Sequence, residues 1–323
     1  MSLFLAADRI VMTLQNEAQT YNLSDNSSNN LSKNLSNLHL CLLKEITPLI
    51  ITFNEAPNIG RTLERLTWAK RIIVIDSYSS DKTLEILQFY PQVEIFQRKF
   101  DTFANQWNYG LQQVTSEWVL SLDADYIVID DLLTEINALP EDSLVDGYFV
   151  RFKYCVFGKP LRGTLLPPRE VLFRREKAVY VDDGHTQRLR VNGKSGMLSS
   201  YIYHDDRKTL SRWVWSQDRY MIIEAQKLLE TPDSELSFGD RIRRQRILAP
   251  FVILFYCLIL NRGILDGWAG WYYALQRMLA EILLSIRLIE TQRLQQCSNT
   301  GRTYADISPS PLTNSSKQGL KQA

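Results

Sequence analysis

The chain has 323 residues, 45% of them hydrophobic and 23% charged, with 37 basic side chains against 36 acidic ones and a formal net charge of +1. This composition excludes a wholly disordered, collagen-like or disulfide-stapled protein and is enough chain for one large domain or two smaller ones. Without a basic excess, a partner gripped through its phosphates is not expected, which sets nucleic acid aside. The four cysteines (Cys41, Cys155, Cys257, Cys297) lie far apart and are joined by only three histidines, so the spacing spells neither a zinc site nor a disulfide framework. Free thiols suit a reducing compartment, and the apolar stretch from Leu3 to Ala7 is too short for a signal peptide, so a cytoplasmic location is expected.

Residues 22–38 read NLSDNSSNNLSKNLSNL, too polar to bury a core, and the expectation for 1–45 is a disordered or weakly ordered leader. The pattern then changes. Leu49 to Phe53 is a short apolar run, Asn54-Glu55-Ala56-Pro57 a turn, and Ile59, Leu63 and Leu66 stand at helical spacing. The same strand, turn and helix recur from Ile72 to Ile75 through Asp76–Asp81 into Lys82–Phe89, and from Val93 to Phe96 into Thr102–Val114. A fourth apolar run, Trp118 to Leu122, ends in Asp123-Ala124-Asp125. Continuous apolar strands alternating with helices predict an α/β fold, a mixed but mainly parallel sheet covered on both faces, with its polar loops at the C-terminal strand edge where such sheets bind ligands. From Gly147 to Val191 short strand-like pieces predict a mixed or antiparallel extension forming the second wall of a cleft, and Ser211 to Glu230 reads as an amphipathic helix.

Next, Arg241, Arg243, Arg244 and Arg246 precede fourteen uncharged residues, Ile247 to Leu260, and Gly263 to Ile289 is rich in Trp, Tyr, Leu and Ile. Fourteen residues at about 1.5 Å each cannot span roughly 30 Å of hydrocarbon. The arginines and Trp268, Trp271, Tyr272 and Tyr273 suit a helix pair lying in the headgroup region of a cytoplasmic leaflet; the other reading is a helical hairpin packed on the domain or on a second subunit. The expected organisation is a leader over 1–45, an α/β domain over 46–232, a helical membrane-associating or oligomerising extension over 233–297 and a disordered tail over 298–323.

Two carboxylates one residue apart at the end of a buried strand, Asp123 and Asp125, can share a divalent cation and its diphosphate, and Mg²⁺ or Mn²⁺ prefers such oxygen ligands. D-x-D alone also reads as solvated charge. Here two further loops at the same edge offer Asn54 and Glu55, then Asp76, Ser79 and Asp81. Asp76 is placed to accept from a base N–H, while Ser79 and Asp81 also read as helix caps. His204, followed by Asp205 and Asp206, is read as approaching the metal or pyrophosphate, or as a structural histidine, and Arg169 and Arg174 as offsetting diphosphate charge.

On these residues the chain resembles the glycosyltransferase family 2 enzymes of the GT-A fold. The likeness rests on Thr52-Phe53-Asn54-Glu55 with Asn58-Ile59, on Ile75-Asp76-Ser77 through Asp81-Lys82-Thr83, and on Trp118 through Asp125, and it runs from about Pro48 to Ile223. Within the family it is most similar to the lipopolysaccharide core glucosyltransferase-like group, through Gln106, Asn108, Leu172-Phe173-Arg174-Arg175 and His185. The resemblance implies transfer of a sugar, with inversion, from a nucleotide diphosphate sugar, UDP-linked, to a hydroxyl of a glycan or lipid-linked acceptor in cell-envelope polysaccharide or lipopolysaccharide synthesis. It implies that Thr52, Asn54, Glu55, Gln106 and Asn108 line the nucleotide-sugar pocket, that Asp76 contacts the base, that Asp123 meets ribose or metal, and that Asp125 holds the metal. The chain departs from relatives at Tyr126, where many carry an acid, and at Thr186, where a His-Glu pair becomes His185-Thr186. Attack by the acceptor hydroxyl needs a base; the candidates are Asp183, then His185, then Asp182. Two rivals are a sugar-phosphate nucleotidyltransferase, whose glycine-rich loop Phe53 to Gly60 lacks, and a non-catalytic membrane-bound subunit that has lost its base.

Overall fold

The computed structural model describes residues 42–140, 143–183 and 186–299. Strand β1 (Ile46–Thr52) is central and is paired in parallel on both sides, to β2 (Ile72–Asp76) with Leu49 opposite Ile73 and to β4 (Trp118–Asp123) with Ile46 opposite Trp118; β3 (Val93–Gln97) continues in parallel outside β2. Strands that are apolar on both faces need two covers. One face carries Ile46, Ile50, Ile72 and Val74 against Ile59, Leu63 and Leu66 of α1 (Ile59–Glu64) and the turn after it, and Leu87 of α2 (Thr83–Leu87). The other carries Leu49, Ile73, Ile75 and Val119 against Ala104, Trp107 and Leu111 of α3 (Phe103–Gln113), a helix capped by Thr102, whose side chain accepts from Asn105 N–H at 3.2 Å.

Beyond β4 the sheet becomes mixed. Strand β8 (Arg169–Arg174) runs antiparallel to β4, β6 (Val145–Val156) antiparallel to β8, β11 (Lys194–His204) parallel to β6, and β5 (Tyr126–Val128) antiparallel to β11. The order is β3-β2-β1-β4-β8-β6-β11-β5, with the short β7 (Lys159–Pro160) added on β6 and α4 (Asp130–Asn137) following β5. The expected irregular extension is therefore real, and it contains one parallel pair. A separate ribbon, β9 (Ala178–Asp183) with β10 (Thr186–Val191), lies on α3: Tyr180 stacks on Trp107 at 5.2 Å, and the Asn108 amide both donates to Tyr180 C=O at 2.8 Å and accepts its N–H at 2.9 Å.

The C-terminal layer comprises α5 (Leu210–Glu230), α6 (Phe238–Arg244), α7 (Ala249–Phe255) continued by a wide turn Tyr256–Leu260, and α8 (Trp268–Asn299). Met221, Ala225 and Leu228 of α5 pack on Leu284 and Leu288 of α8, and Arg287 grips Asp218 through two bonds of 2.8 and 2.6 Å. Because α5 and α8 share a core, the sequence boundary at 232 does not separate two independent layers. The arginine cluster corrects the sequence expectation. Arg243 is 2% exposed and bonds Glu224 at 2.8 Å and Glu281 at 3.1 Å; Arg244 reaches Asp233 and the carbonyls of Leu228 and Thr231; Arg246 bonds Gln292 at 2.5 Å. Three of the four arginines thus hold the helices together, and Arg241 alone of the four is exposed. Among the described residues no helix is long and apolar enough to cross a membrane.

Candidate functional site

The first two loops at the sheet edge are stitched to each other by their own polar groups. Asn54, in the left-handed region at φ 55°, donates its N–H to Ser79 Oγ at 2.8 Å and accepts Ser80 N–H on its side-chain oxygen at 2.8 Å; Glu55 N–H donates to Thr83 Oγ1 at 2.8 Å and Ala56 N–H to Asp81 at 3.1 Å. Asparagine tolerates that backbone better than most residues. Asp81 also accepts Thr83 N–H at 2.9 Å, and these bonds outweigh burial and lower its pKa. Asp76 is fully buried and accepts Ser79 N–H at 2.9 Å, Ser79 Oγ–H at 2.5 Å and the Gln97 amide at 3.1 Å. Gln106, also fully buried, donates to Ser77 Oγ at 3.0 Å and accepts from Arg98 at 2.7 Å, so it props the same loop. Thr52 is buried at the end of β1, and its hydroxyl has no hydrogen-bond partner among the described residues.

Between β4 and β5 the D-x-D turn is pinned from both sides: Thr62 Oγ1 donates to Ala124 C=O at 2.7 Å and Asp205 N–H to Asp125 C=O at 3.0 Å. Asp125 is 8% exposed; one carboxylate oxygen lies 3.1 Å from His204 Nε2, and the other is buried without a hydrogen-bond partner among the described residues. Burial acts to raise the Asp125 pKa, but the charge and hydrogen bond of His204, with Lys208, hold it well below the usual carboxylate range. For His204 the balance is reversed: burial lowers its pKa and Asp125 raises it further, with a net rise. Asp123, open to solvent over 36% of its side chain, is raised by its enclosure in the cleft, opposed by Arg169 and reinforced by Asp125. Arg169 Nη1 lies 3.8 Å from Asp123 and 3.3 Å from the Tyr126 hydroxyl.

Lys208, which the sequence reading did not single out, completes the cluster. Its Nζ is 2.6 Å from Glu55 and 3.6 Å from Asp206, and these acids with Asp125 keep it charged in spite of burial. Burial pushes Glu55 up to about 7 against the pull of Lys208. Arg61 is likewise unforeseen; it pairs with Asp205 and donates to Asn58 at 2.8 Å, tying α1 to the segment after β11. The only signal for these two was their place near Asn58 and His204-Asp205-Asp206, and nothing local says that the two segments meet.

The structure thus brings Glu55, Asp123, Asp125, Arg169, His204 and Lys208 together, with Asn54, Asp76, Ser79, Asp81 and Gln106 forming the adjoining loop wall. It does not bring Arg174 there. Trp118 is opposite Arg174 and Leu120 opposite Leu172, so the antiparallel register sends Arg174 to the N-terminal end of β4, over the Trp118 ring at 4.7 Å and against Glu117. Asn108 is taken up by the Tyr180 backbone, a positioning contact. Asp182 is exposed on β9, Asp183 ends that strand with its side chain outside the description, and His185 lies outside the described residues.

Among the described residues no group of three or more His, Cys, Asp or Glu is gathered as a metal cage. Mg²⁺ or Mn²⁺ carried on a diphosphate needs only one or two carboxylates, its other ligands being phosphate oxygens and water. The buried, unpartnered Asp125 oxygen beside half-open Asp123 fits that demand, and His204 stands as the hydrogen-bond partner of Asp125.

The family model for glycosyl transferase family 2 matches residues 48–202. Over 269 residues the chain is 23% identical to the lipopolysaccharide core biosynthesis glycosyltransferase LpsC of Rhizobium meliloti (strain 1021), covering 79% of this chain and 95% of that protein. It is 37% identical over 86 residues to the SPbeta prophage-derived glycosyltransferase SunS of Bacillus subtilis (strain 168), covering 25% of this chain and 20% of that protein. Among solved structures, S. aureus TarS 1-349 in complex with UDP-GlcNAc is similar at a TM-score of 0.41 and 16% identity, covering 80% of this chain and 93% of that one. The loops at the C-terminal edge of β1, β2 and β4 therefore lie within the stretch matched by the glycosyl transferase family 2 model, and this match, with the likeness to LpsC along most of the chain, supports a transferase.

Proposed function

We propose that the protein moves a sugar, with inversion, from a UDP-linked donor to a hydroxyl of a glycan or lipid-linked acceptor in cell-envelope polysaccharide or lipopolysaccharide synthesis, working in the cytoplasm at a membrane surface. The observation that carries this reading is the buried, unpartnered carboxylate oxygen of Asp125 at the mouth of a parallel strand, with Asp123, Arg169 and Lys208 around it. The likeness to LpsC, a lipopolysaccharide core biosynthesis glycosyltransferase, supports the envelope setting, and the two free, buried thiols, Cys155 and Cys257, suit a reducing compartment.

Asp125, with Asp123, would hold Mg²⁺ or Mn²⁺, which when bound supplies charge neutralisation to the leaving diphosphate. His204 orients Asp125 and keeps it ionised; Arg169 and Lys208 add fixed positive charge on either side of the acids. Asp76, Thr52, Ser79 and Gln106 shape the base end of the pocket, while Asn54, Glu55 and Asp81 keep its two loops in register. On the acceptor side a base, Asp183 before His185 and Asp182, takes the hydroxyl proton as oxygen attacks the anomeric carbon and the bond to the diphosphate breaks.

The test is release of nucleotide diphosphate from a panel of nucleotide sugars, with Mn²⁺ or with chelator. UDP-sugar turnover should require the metal, and Asp125→Ala should lower it by about two to three orders of magnitude. Metal-independent turnover, or an Asp125→Ala protein as active as the parent, would defeat the proposal.

A further inference from the structure

The outward side of the C-terminal layer is inverted relative to an ordinary surface helix. On α8 the exposed positions from 268 to 289 are Trp268, Trp271, Leu275, Ile282, Ile286 and Ile289, all apolar. The charged residues of the same stretch turn inward or sideways: Glu281 is buried against Arg243, Arg277 lies over Trp213 and Tyr273, and Arg287 pairs with Asp218. From Ile247 to Leu260 the exposed positions are again apolar, namely Ile247, Leu248, Phe251, Phe255, Ile259 and Leu260.

The two stretches lie side by side and antiparallel. At one end Arg246 reaches Gln292, and at the other Gly270 comes so close to Gly263 that a Cβ on Gly270 would stand 1.8 Å from the Gly263 carbonyl oxygen. Ser285 Oγ also donates to the Arg246 carbonyl, so the start of the 247–260 stretch lies by the 285–292 end of α8 and its close by the start of α8. A contiguous apolar surface of this kind calls for a partner.

Charge identifies the partner. Between 238 and 296 the exposed ionisable side chains are Arg241, Arg262 and Arg293, while Asp240, Asp266 and Glu281 are buried and Glu290 is half-buried beside Arg287. Within this span the exposed charges are therefore all basic, while the exposed acids Asp233 and Glu235 stand in the connection before α6. A second copy of the chain would bring like charges together, whereas an anionic lipid surface offers hydrocarbon to the face, headgroup depth to the tryptophans and phosphate to the arginines.

We infer that this two-helix face is the seat of the enzyme on an anionic bilayer, lying in the headgroup region without crossing it. The inference rests on the proposed transferase reading for its use and deepens it. Exposed Phe157, in the turn after β6, meets Tyr272 at 5.4 Å and Trp268 at 6.2 Å, while the next residue, Gly158, donates its N–H to Asp205 at 3.0 Å, beside the D-x-D turn. A small cleft lined by Tyr154, Phe157, Lys208, Trp213, Tyr272 and Gln276 lies on this path. The seat and the cleft are adjacent, which is the placement a lipid-linked acceptor requires.

The experiment is vesicle flotation of the full chain, with phosphatidylglycerol mixed into phosphatidylcholine and with phosphatidylcholine alone. The protein should float with the anionic vesicles and much less with the zwitterionic ones. The variant Phe251→Ser/Phe255→Ser/Ile282→Ser/Ile286→Ser should stay at the bottom, and Arg241→Gln/Arg262→Gln/Arg293→Gln should reduce partitioning by roughly tenfold or more. Both variants should bind UDP-sugar in the absence of vesicles as the parent does, which shows that they are folded. Failure of the parent to float, or a serine variant that floats like the parent, overturns the inference. So does a parent dimer that the serine variant converts to monomer without either binding vesicles, which would make a second copy the occupant. Flotation needs no turnover, so loss of donor chemistry with intact flotation would count against the transferase proposal alone.

Discussion

Part-buried Glu55 and buried Asp125 are both carboxylates near Lys208, yet their proton affinities move in opposite directions. Asp125 has His204 against it and stays ionised, whereas Glu55 shares a single lysine and burial wins, pushing it up to about 7. A carboxyl whose folded pKa lies above its unfolded value stabilises the fold fully below the unfolded value, and that stability is lost as pH rises through the folded one. For Glu55 the window runs from the ordinary value of 4.5 to about 7. Glu55→Gln removes this dependence, so the stability of the variant relative to the parent should rise by roughly 1 to 3 kcal/mol between pH 5 and pH 8. Urea unfolding at the two pH values measures it, and identical pH dependence in both proteins would show that Glu55 ionises normally.

One amide fixes the backbone of the β9–β10 ribbon to α3 at Tyr180. Asn108 satisfies both backbone groups of Tyr180, and Trp107 stacks on its ring, so α3 holds in place the strand that ends at Asp183. Asn108→Ala leaves a part-buried N–H and C=O unpaired and should lower stability by about 2 kcal/mol, with donor affinity unchanged. Denaturant unfolding and titration with UDP-sugar separate the two effects; weaker donor binding at unaltered stability would return Asn108 to the nucleotide pocket. The same reasoning explains why two arginines only five positions apart on β8 part company. A strand antiparallel to β4 must carry Arg169 toward the D-x-D end and Arg174 away from it.

Three helices of the C-terminal layer meet at Arg243, which is almost completely buried among Glu224, Glu281 and Asp240. A buried pair returns little net stability over an apolar substitute, but removing one partner strands the others. Arg243→Ala should therefore cost about 3 to 5 kcal/mol, whereas Arg243→Met combined with Glu224→Leu and Glu281→Leu should recover most of that loss. Thermal unfolding of the two proteins decides it, and equal melting temperatures would mean that the cluster adds no constraint. By drawing its charges inward, this layer leaves its apolar side chains facing out.

Local pattern was sufficient for β1 to β4, for the helices between them and for the place of Asp123-Ala124-Asp125 at the C-terminal strand edge, because a parallel strand buried on both faces is continuously apolar and its first polar residues mark that edge. It was also sufficient for a basic and aromatic helix pair after residue 240. Partner choice was beyond it. Lys208 reaches Glu55 across more than 150 residues, Arg243 faces inward although its neighbour Arg241 faces out, and Arg169 is separated from Arg174 by strand direction. Such pairings are set by register and by the packing of distant segments. A run of residues dictates its own periodicity through backbone geometry, but which buried charge meets which depends on contacts that exist only once the chain has folded.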